Sequence, residues 1–308
     1  MLQDTVRKDK YDIINVFAAE EHGITYEWTN TKDFKLIESF AEKKQLNIVF
    51  GCVDDGLFYS RGDLCKYASY YFWPTFWISN TVHNNSRIKL SSERTRFDYA
   101  YSCLNRNAHH RCMLIDELSR RGLLDKGAVS WHDPAFDYKW KHWSPKRLTL
   151  DAGVDLNNLT LFCPPQEFYT SFCNIVSEST TEVNFITEKT VMPILAKIPF
   201  IVYAAPGFSA YLESLGFVLY TEIFDYSFDD IFDDNARANA IAVNIRNISK
   251  LDFAKTYYKL RPKIEHNYHQ ALKIAKDKTK IPDIIFEYIS RTPKTSEYSW
   301  LQDFLRLT

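Results

Sequence analysis

EFYTSFCNIVSES (167–179), TEKTVMPILAKI (187–198) and PFIVYAAPG (199–207) are the segments that decide the fold. The first contains a buried strand that ends on Glu178. The second has helical spacing, with Thr187 placed as an N-cap and Glu188 beside the positive helix end. The third is an apolar strand that opens with Pro199 and runs into a Gly turn at Gly207. Strand, helix and strand in close succession form the unit of a parallel sheet.

The same alternation extends outward. FDYAYSCLN (97–105) reads as a strand, RCMLIDELSRRGLLDKG (111–127) as an amphipathic helix ending near Gly127, and AVSW (128–131) as the next strand. Nearer the N-terminus, YDIINVFAAE (11–20) and LNIVFGCV (46–53) are β-rich. Between them DFKLIESFAEKKQ (33–45) places Phe34, Ile37, Phe40 and Ala41 on one helical face. Residues 62–78 are aromatic-rich and mix a short helix with a strand. Residues 82–96 are polar and read as a linker. Beyond Gly207 come a short helix in FSAYLESLGF and an acidic run, 222–234, with six acids and no base. That run lacks the Gly and spacing of a calcium loop and reads as a polar turn before a helix. Residues 236–291 read as helical throughout. The expected fold is α/β: two Rossmann-like doubly wound domains facing a cleft, with a helical C-terminal tail. The boundaries are 1–95, 96–250 and 251–308, the tail packing back on the N-terminal lobe.

Composition limits the function. A chain of 308 residues, 45% hydrophobic and 25% charged, builds a large core and is not disordered. The 38 Lys and Arg balance 39 Asp and Glu, for a net charge of -1, which excludes a global basic field. A nucleic acid would need a local patch. The six cysteines form no CxxC pair and read as buried thiols. His109 and His110 lie near Cys112, but adjacent histidines point in different directions, so no metal site is expected. The N-terminus has no apolar signal core, and the most apolar stretch, Ile194 to Tyr203, is interrupted by Lys197 and Pro199. The expectation is a soluble cytoplasmic protein without a membrane span (in the host cytoplasm if viral).

Two strand-to-helix junctions carry the chemistry. At the first, Thr187-Glu188-Lys189 opens a helix, and Lys189 stands where the helix dipole disfavours a cation unless an anion is also present. Helix N-termini bind phosphate, and a Lys beside the unpaired N–H groups strengthens such a site. At the second, Asn105-Arg106-Asn107-Ala108-His109-His110-Arg111 places two arginines where they can clamp a diphosphate. Together these motifs resemble the donor-binding half of the α-1,3-fucosyltransferases, inverting enzymes of the GT-B fold. Asn105 and Arg111 keep that family's six-residue spacing, and Glu178 and Glu188 keep its ten-residue spacing. Phe185-Ile186-Thr187-Glu188-Lys189 matches its Tyr-Val-Thr-Glu-Lys motif, and the strand from Pro199 also fits. The chain departs from the family at Ser179, where the family has Asn, and at Leu104, where it has Ser.

The resemblance implies a glycosyltransferase of the hexosyl- or pentosyl-transferring kind, with no permanently bound cofactor and no metal. Its donor would be a nucleoside-diphosphate sugar, GDP- or UDP-linked. It implies that Asn105, Arg106, Arg111, Glu178, Thr187, Glu188 and Lys189 surround the donor. Arg111 and Lys189 would hold the phosphates, Glu188 the ribose or sugar hydroxyls, and Glu178 the sugar. Cations at the departing diphosphate stabilise an oxocarbenium-like transition state. Inversion needs a general base, and the candidates at strand ends are Glu20, Glu21, Asp54 and Asp55. The acceptor is a glycan, or else a hydroxymethylated base in DNA, as for phage DNA glycosyltransferases. A third alternative is a non-catalytic nucleotide-sugar-binding module. Tyr138 to Arg147 interleaves aromatics with bases and reads as a loop packing its Trp residues, with base stacking as the alternative. Lys250 to Lys280 holds nine bases against three acids, either a solvated helix face or a polyanion patch.

Overall fold

The computed structural model describes residues 13–18, 39, 43, 47–52, 68–72, 75–83, 94–106, 108–131, 136–144, 150 and 164–277. Contacts divide the chain into two compact units, Met1–His83 with Ile274–Thr308, and Asn84–Lys273.

The first unit carries three parallel strands, β1 (Ile13–Ala18), β2 (Asn47–Cys52) and β3 (Ala68–Phe72), in the order β1-β2-β3. Helix α1 (Phe76–His83) follows and buries Phe76 and Ile78. The aromatic segment 62–78 therefore supplies a strand and then the start of a helix. The helix expected over 33–45 lies outside the described residues except at Ser39 and Lys43, which are helical.

The second unit is built on a four-stranded parallel sheet of β4 (Tyr99–Asn105), β5 (Gly127–Trp131), β6 (Ser171–Ser177) and β7 (Phe200–Tyr203). Its order is β5-β4-β6-β7, with Tyr101 opposite both Gly127 and Cys173. The helices are α2 (His109–Arg120), α3 (Gln166–Thr170), α4 (Glu188–Leu195), α5 (Phe208–Ser214), α6 (Asp234–Ile248) and α7 (Phe253–Lys276). All seven residues of β6 are buried, as expected of an inner strand in a parallel sheet covered on both faces. The alternation of parallel strands with helices is consistent with a Rossmann-like fold. From β4 the chain first adds β5 on one side and then β6 on the other. The strand order therefore reverses between β4 and β6, and open α/β sheets bind ligands outside the carboxyl ends of strands at such a point.

Local chemistry explains where elements end. Helix α2 stops at Arg120, not near Gly127. Gly122 takes a left-handed φ of 62°, its N–H bonds Ser119 O at 2.9 Å, and Leu123 N–H bonds Leu118 O at 2.9 Å. This is a Schellman closure with Leu118 and Leu123 both buried. Gly127 instead opens β5 against the buried Tyr101 ring, and a Cβ there would stand 2.3 Å from the ring. Gly127→Ala is expected to cost about 3 kcal/mol by overpacking, read as a loss in chemical-denaturation midpoint. Helix α4 closes the same way, with Lys197 in place of glycine at φ 56°. Lys197 is held there by Glu265 at 2.8 Å and by its carbonyl, which accepts from Tyr257 Oη at 3.0 Å.

The strand read within 167–179 is preceded by one helical turn, α3, too short to show a period. Buried Arg94 donates to the carbonyls of Tyr169, Ser171 and Phe172, pinning this turn to the start of β6. The tail is divided between the units: through Lys273 it counts with the second sheet, and from Ile274 onward with the N-terminal strands. Phe253 stacks on Phe172 with centroids 4.9 Å apart, and Asn267 bonds both polar groups of the Val218 backbone. The acidic run is a set of caps. Asp225 accepts from Ser227 N, Asp229 from Ser209 N at the start of α5, and Asp233 from Ala236 N at the start of α6. In the aromatic-basic loop Trp140 and Trp143 pack edge-on against Trp131. The Asp116 carboxylate accepts the backbone N–H groups of Lys141, His142 and Trp143 at 2.7–3.1 Å. Those Trp rings are structural. Among the described residues no helix is long and apolar enough to cross a membrane.

Candidate functional site

The reversal between β4 and β6 brings together residues far apart in sequence. Strand β4 ends at Asn105 and leads through Arg106 into α2. Strand β6 ends at Ser177 and leads through Glu178 into α4. Two helix N-termini and the ends of two inner strands therefore share one edge of the sheet.

The first turn of α2 carries His109, His110 and Arg111 and no acid, with Ala108 as a cap that supplies no side-chain bond. The dipole alone disfavours these bases. Arg111 is 6% exposed and reaches across to β6, its Nη2 donating to the carbonyls of Ser177 (3.2 Å) and Glu178 (2.9 Å). His110 Nε2 donates to the same Glu178 carbonyl at 2.9 Å, which requires the tautomer protonated at that nitrogen. Arg111 and His110 thus tie the carboxyl end of β6 to the start of α2. Arg106 is exposed at the lip.

Burial, and then the charge of Arg111, lowers the His110 pKa to about 4. The folded value lies below the 6.5 of an ordinary histidine. Between about pH 6.5 and pH 4 the unfolded chain therefore binds a proton that the native state refuses, and stability falls as pH drops. Burial pushes the Glu178 carboxyl upward, which acts with the opposite sign and favours the native state at low pH. His110→Gln keeps a donor without the titration. Relative to it, the natural chain is expected to lose about 3 kcal/mol on going from pH 6.5 to 4, read by urea denaturation across that range.

Glu178 is fully buried and its carboxylate turns inward. One oxygen accepts from Thr187 N (3.1 Å) and Thr190 Oγ1 (2.5 Å), the other from Thr187 Oγ1 (2.6 Å). Thr187 Oγ1 in turn accepts Lys189 N at 3.2 Å and caps α4. Glu178 therefore fixes the start of α4, and both its oxygens accept from protein donors.

Glu188 and Lys189 occupy the first turn of α4. Lys189 Nζ lies 2.9 Å from Glu188 Oε1 and 3.2 Å from Ser179 Oγ. Glu188 is 3% exposed, and its Oε2 accepts no hydrogen bond. Two further buried oxygens on this edge, Asn105 Oδ1 and Ser177 Oγ, also lack partners. Buried acceptors of this kind are costly unless a donor reaches them. The edge thus combines a lysine and two helix N-termini, suited to an anion, with orphaned oxygens suited to hydroxyl groups.

The structure brings Asn105, Arg106, Arg111, Glu178, Thr187, Glu188 and Lys189 to this one edge. Glu20, Glu21, Asp54 and Asp55 lie outside the described residues. The sequence reading missed His110 as a strand tie, Ser177, and Thr190. The Thr187-x-x-Thr190 spacing across a helix start was the available signal for the last.

No protein-family model matches the chain, and no curated protein matches it. A structural comparison finds the crystal structure of an α1,3-fucosyltransferase, 10% identical over 89% of this chain and 80% of that one, with a TM-score of 0.39. At that level the likeness decides neither fold nor activity.

Proposed function

We propose that the chain is an inverting glycosyltransferase that moves a sugar from a nucleoside-diphosphate donor to a hydroxyl acceptor. The observation that carries this reading is the first turn of α4. Lys189 stands at a helix N-terminus at the sheet's switch point, beside the buried Glu188 with one oxygen unpartnered. In this reading the diphosphate lies against Lys189 and the N–H groups opening α4 and α2, with Arg111 adding charge from beneath. Glu188 Oε2 and Asn105 Oδ1 accept from ribose or sugar hydroxyls. As the sugar–phosphate bond breaks, negative charge grows on the departing phosphate next to Lys189, so the cation stabilises the transition state more than the ground state. Inversion also needs a general base for the acceptor hydroxyl, for which Glu20, Glu21, Asp54 and Asp55 are the candidates.

The test is binding. A nucleoside diphosphate at about 100 times its Kd should stabilise the fold by about 2.7 kcal/mol, seen as a raised melting temperature. Inorganic phosphate alone should act far more weakly. No rise with GDP, UDP or their common sugar conjugates would sink the proposal.

A further inference from the structure

Helix α7 has one largely exposed side, touched by the rest of its unit at His266, whose ring bonds the Gly216 carbonyl at 2.9 Å. Lys255, Lys259, His266, His269, Lys273 and Lys276 are all exposed, and Tyr258 is 74% exposed. At about 100° per residue these positions fall within one stripe about 100° wide along the helix. The opposite side packs on the sheet unit through Leu260, Ile264, Asn267 and Ala271, all buried. The helix holds one acid, Glu265, which is paired with Lys197. The stripe itself is therefore cationic without counter-charge from its own helix, in a chain whose net charge is only -1.

The chemistry of the stripe selects its occupant. A helix that lies on a lipid surface needs apolar side chains to enter the acyl boundary beneath its basic residues. Here the stripe carries one aromatic, Tyr258, at one end, Pro262 midway, and no long aliphatic side chain. Its four lysines stand in two pairs, Lys255 with Lys259 and Lys273 with Lys276, with two histidines between them; the outermost are about 32 Å apart at 1.5 Å per residue, close to the roughly 34 Å of one duplex turn. Binding a phosphate backbone requires cations along such a line and nothing apolar. We propose that the exposed stripe of α7 docks the phosphate backbone of a nucleic-acid duplex without reading its sequence. This surface is separate from the residues of the sugar-donor reading and stands or falls apart from it.

The experiment is fluorescence anisotropy of the full chain with a labelled duplex DNA of about 25 base pairs, about two helical turns. Neutralising four phosphates gives a log–log salt slope of about -3.6, so affinity should fall roughly 100-fold between 50 and 200 mM salt. Combined Lys255→Glu, Lys259→Glu, Lys273→Glu and Lys276→Glu should remove binding while the melting temperature holds. The matching Lys→Gln set should weaken binding in proportion. The proposal is overturned by absence of duplex binding at 50 mM salt, or by binding that the variants retain. It is also overturned by tighter association with vesicles one-third phosphatidylserine than with DNA.

Discussion

Lys189→Gln is expected to lower kcat/KM with a nucleotide-sugar donor by about 100- to 1,000-fold, the effect of deleting one preorganised group at a developing anion. It should also abolish the rise in melting temperature that a nucleoside diphosphate produces. Three features set the size of the effect. Lys189 stands in the first turn of α4, where the helix dipole already favours an anion. Its side chain is 21% exposed, so its charge is only partly screened. It pairs with Glu188 at 2.9 Å, and that pair holds the ammonium group at the edge of the sheet. Glutamine keeps a donor for Glu188 and Ser179 and removes the charge, so stability should change little. Loss of activity with an unchanged unfolding midpoint separates this role from a structural one. Glu188→Gln should weaken donor binding more than it slows turnover of bound donor if, as proposed, its orphaned oxygen accepts from donor hydroxyls in ground and transition states alike.

Glu178→Ala should destabilise the second unit by about 4 kcal/mol. It strands three buried donors at once: the Thr187 N–H, the Thr187 hydroxyl and the Thr190 hydroxyl. Each orphaned donor costs about 1–3 kcal/mol, and the total is large against a typical stability of about 5–15 kcal/mol. Glu178→Gln keeps the shape and one acceptor and should cost roughly half as much or less. Urea unfolding of both variants measures this. Equal and small losses for Ala and Gln would show that the carboxylate does not organise the start of α4.

The second sheet was legible in the sequence because its strands and helices alternate with clear periods and caps. The Thr187 cap, the strand from Phe200 and the acidic run as a polar turn all followed from local chemistry. Helix ends were less legible. Two glycines stand near the end of α2, and only the left-handed turn at Gly122 and the Tyr101 ring over Gly127 distinguish them. Helix α3 is a single turn, shorter than any period. Strand order is a tertiary property, so the switch point between β4 and β6 could not be read in advance. The same limit governed the site. Motif spacing placed Glu178 and Arg111 near a ligand. It did not show that Glu178 turns inward to three donors, or that Arg111 spends an Nη on two β6 carbonyls.

The most direct measurement is release of nucleoside diphosphate from a panel of nucleotide sugars, with and without hydroxyl acceptors, by the natural chain and by Lys189→Gln. Acceptor-dependent release from at least one donor is expected, slowed about 100-fold or more in the variant. No release from any donor, or equal release by both proteins, would contradict it.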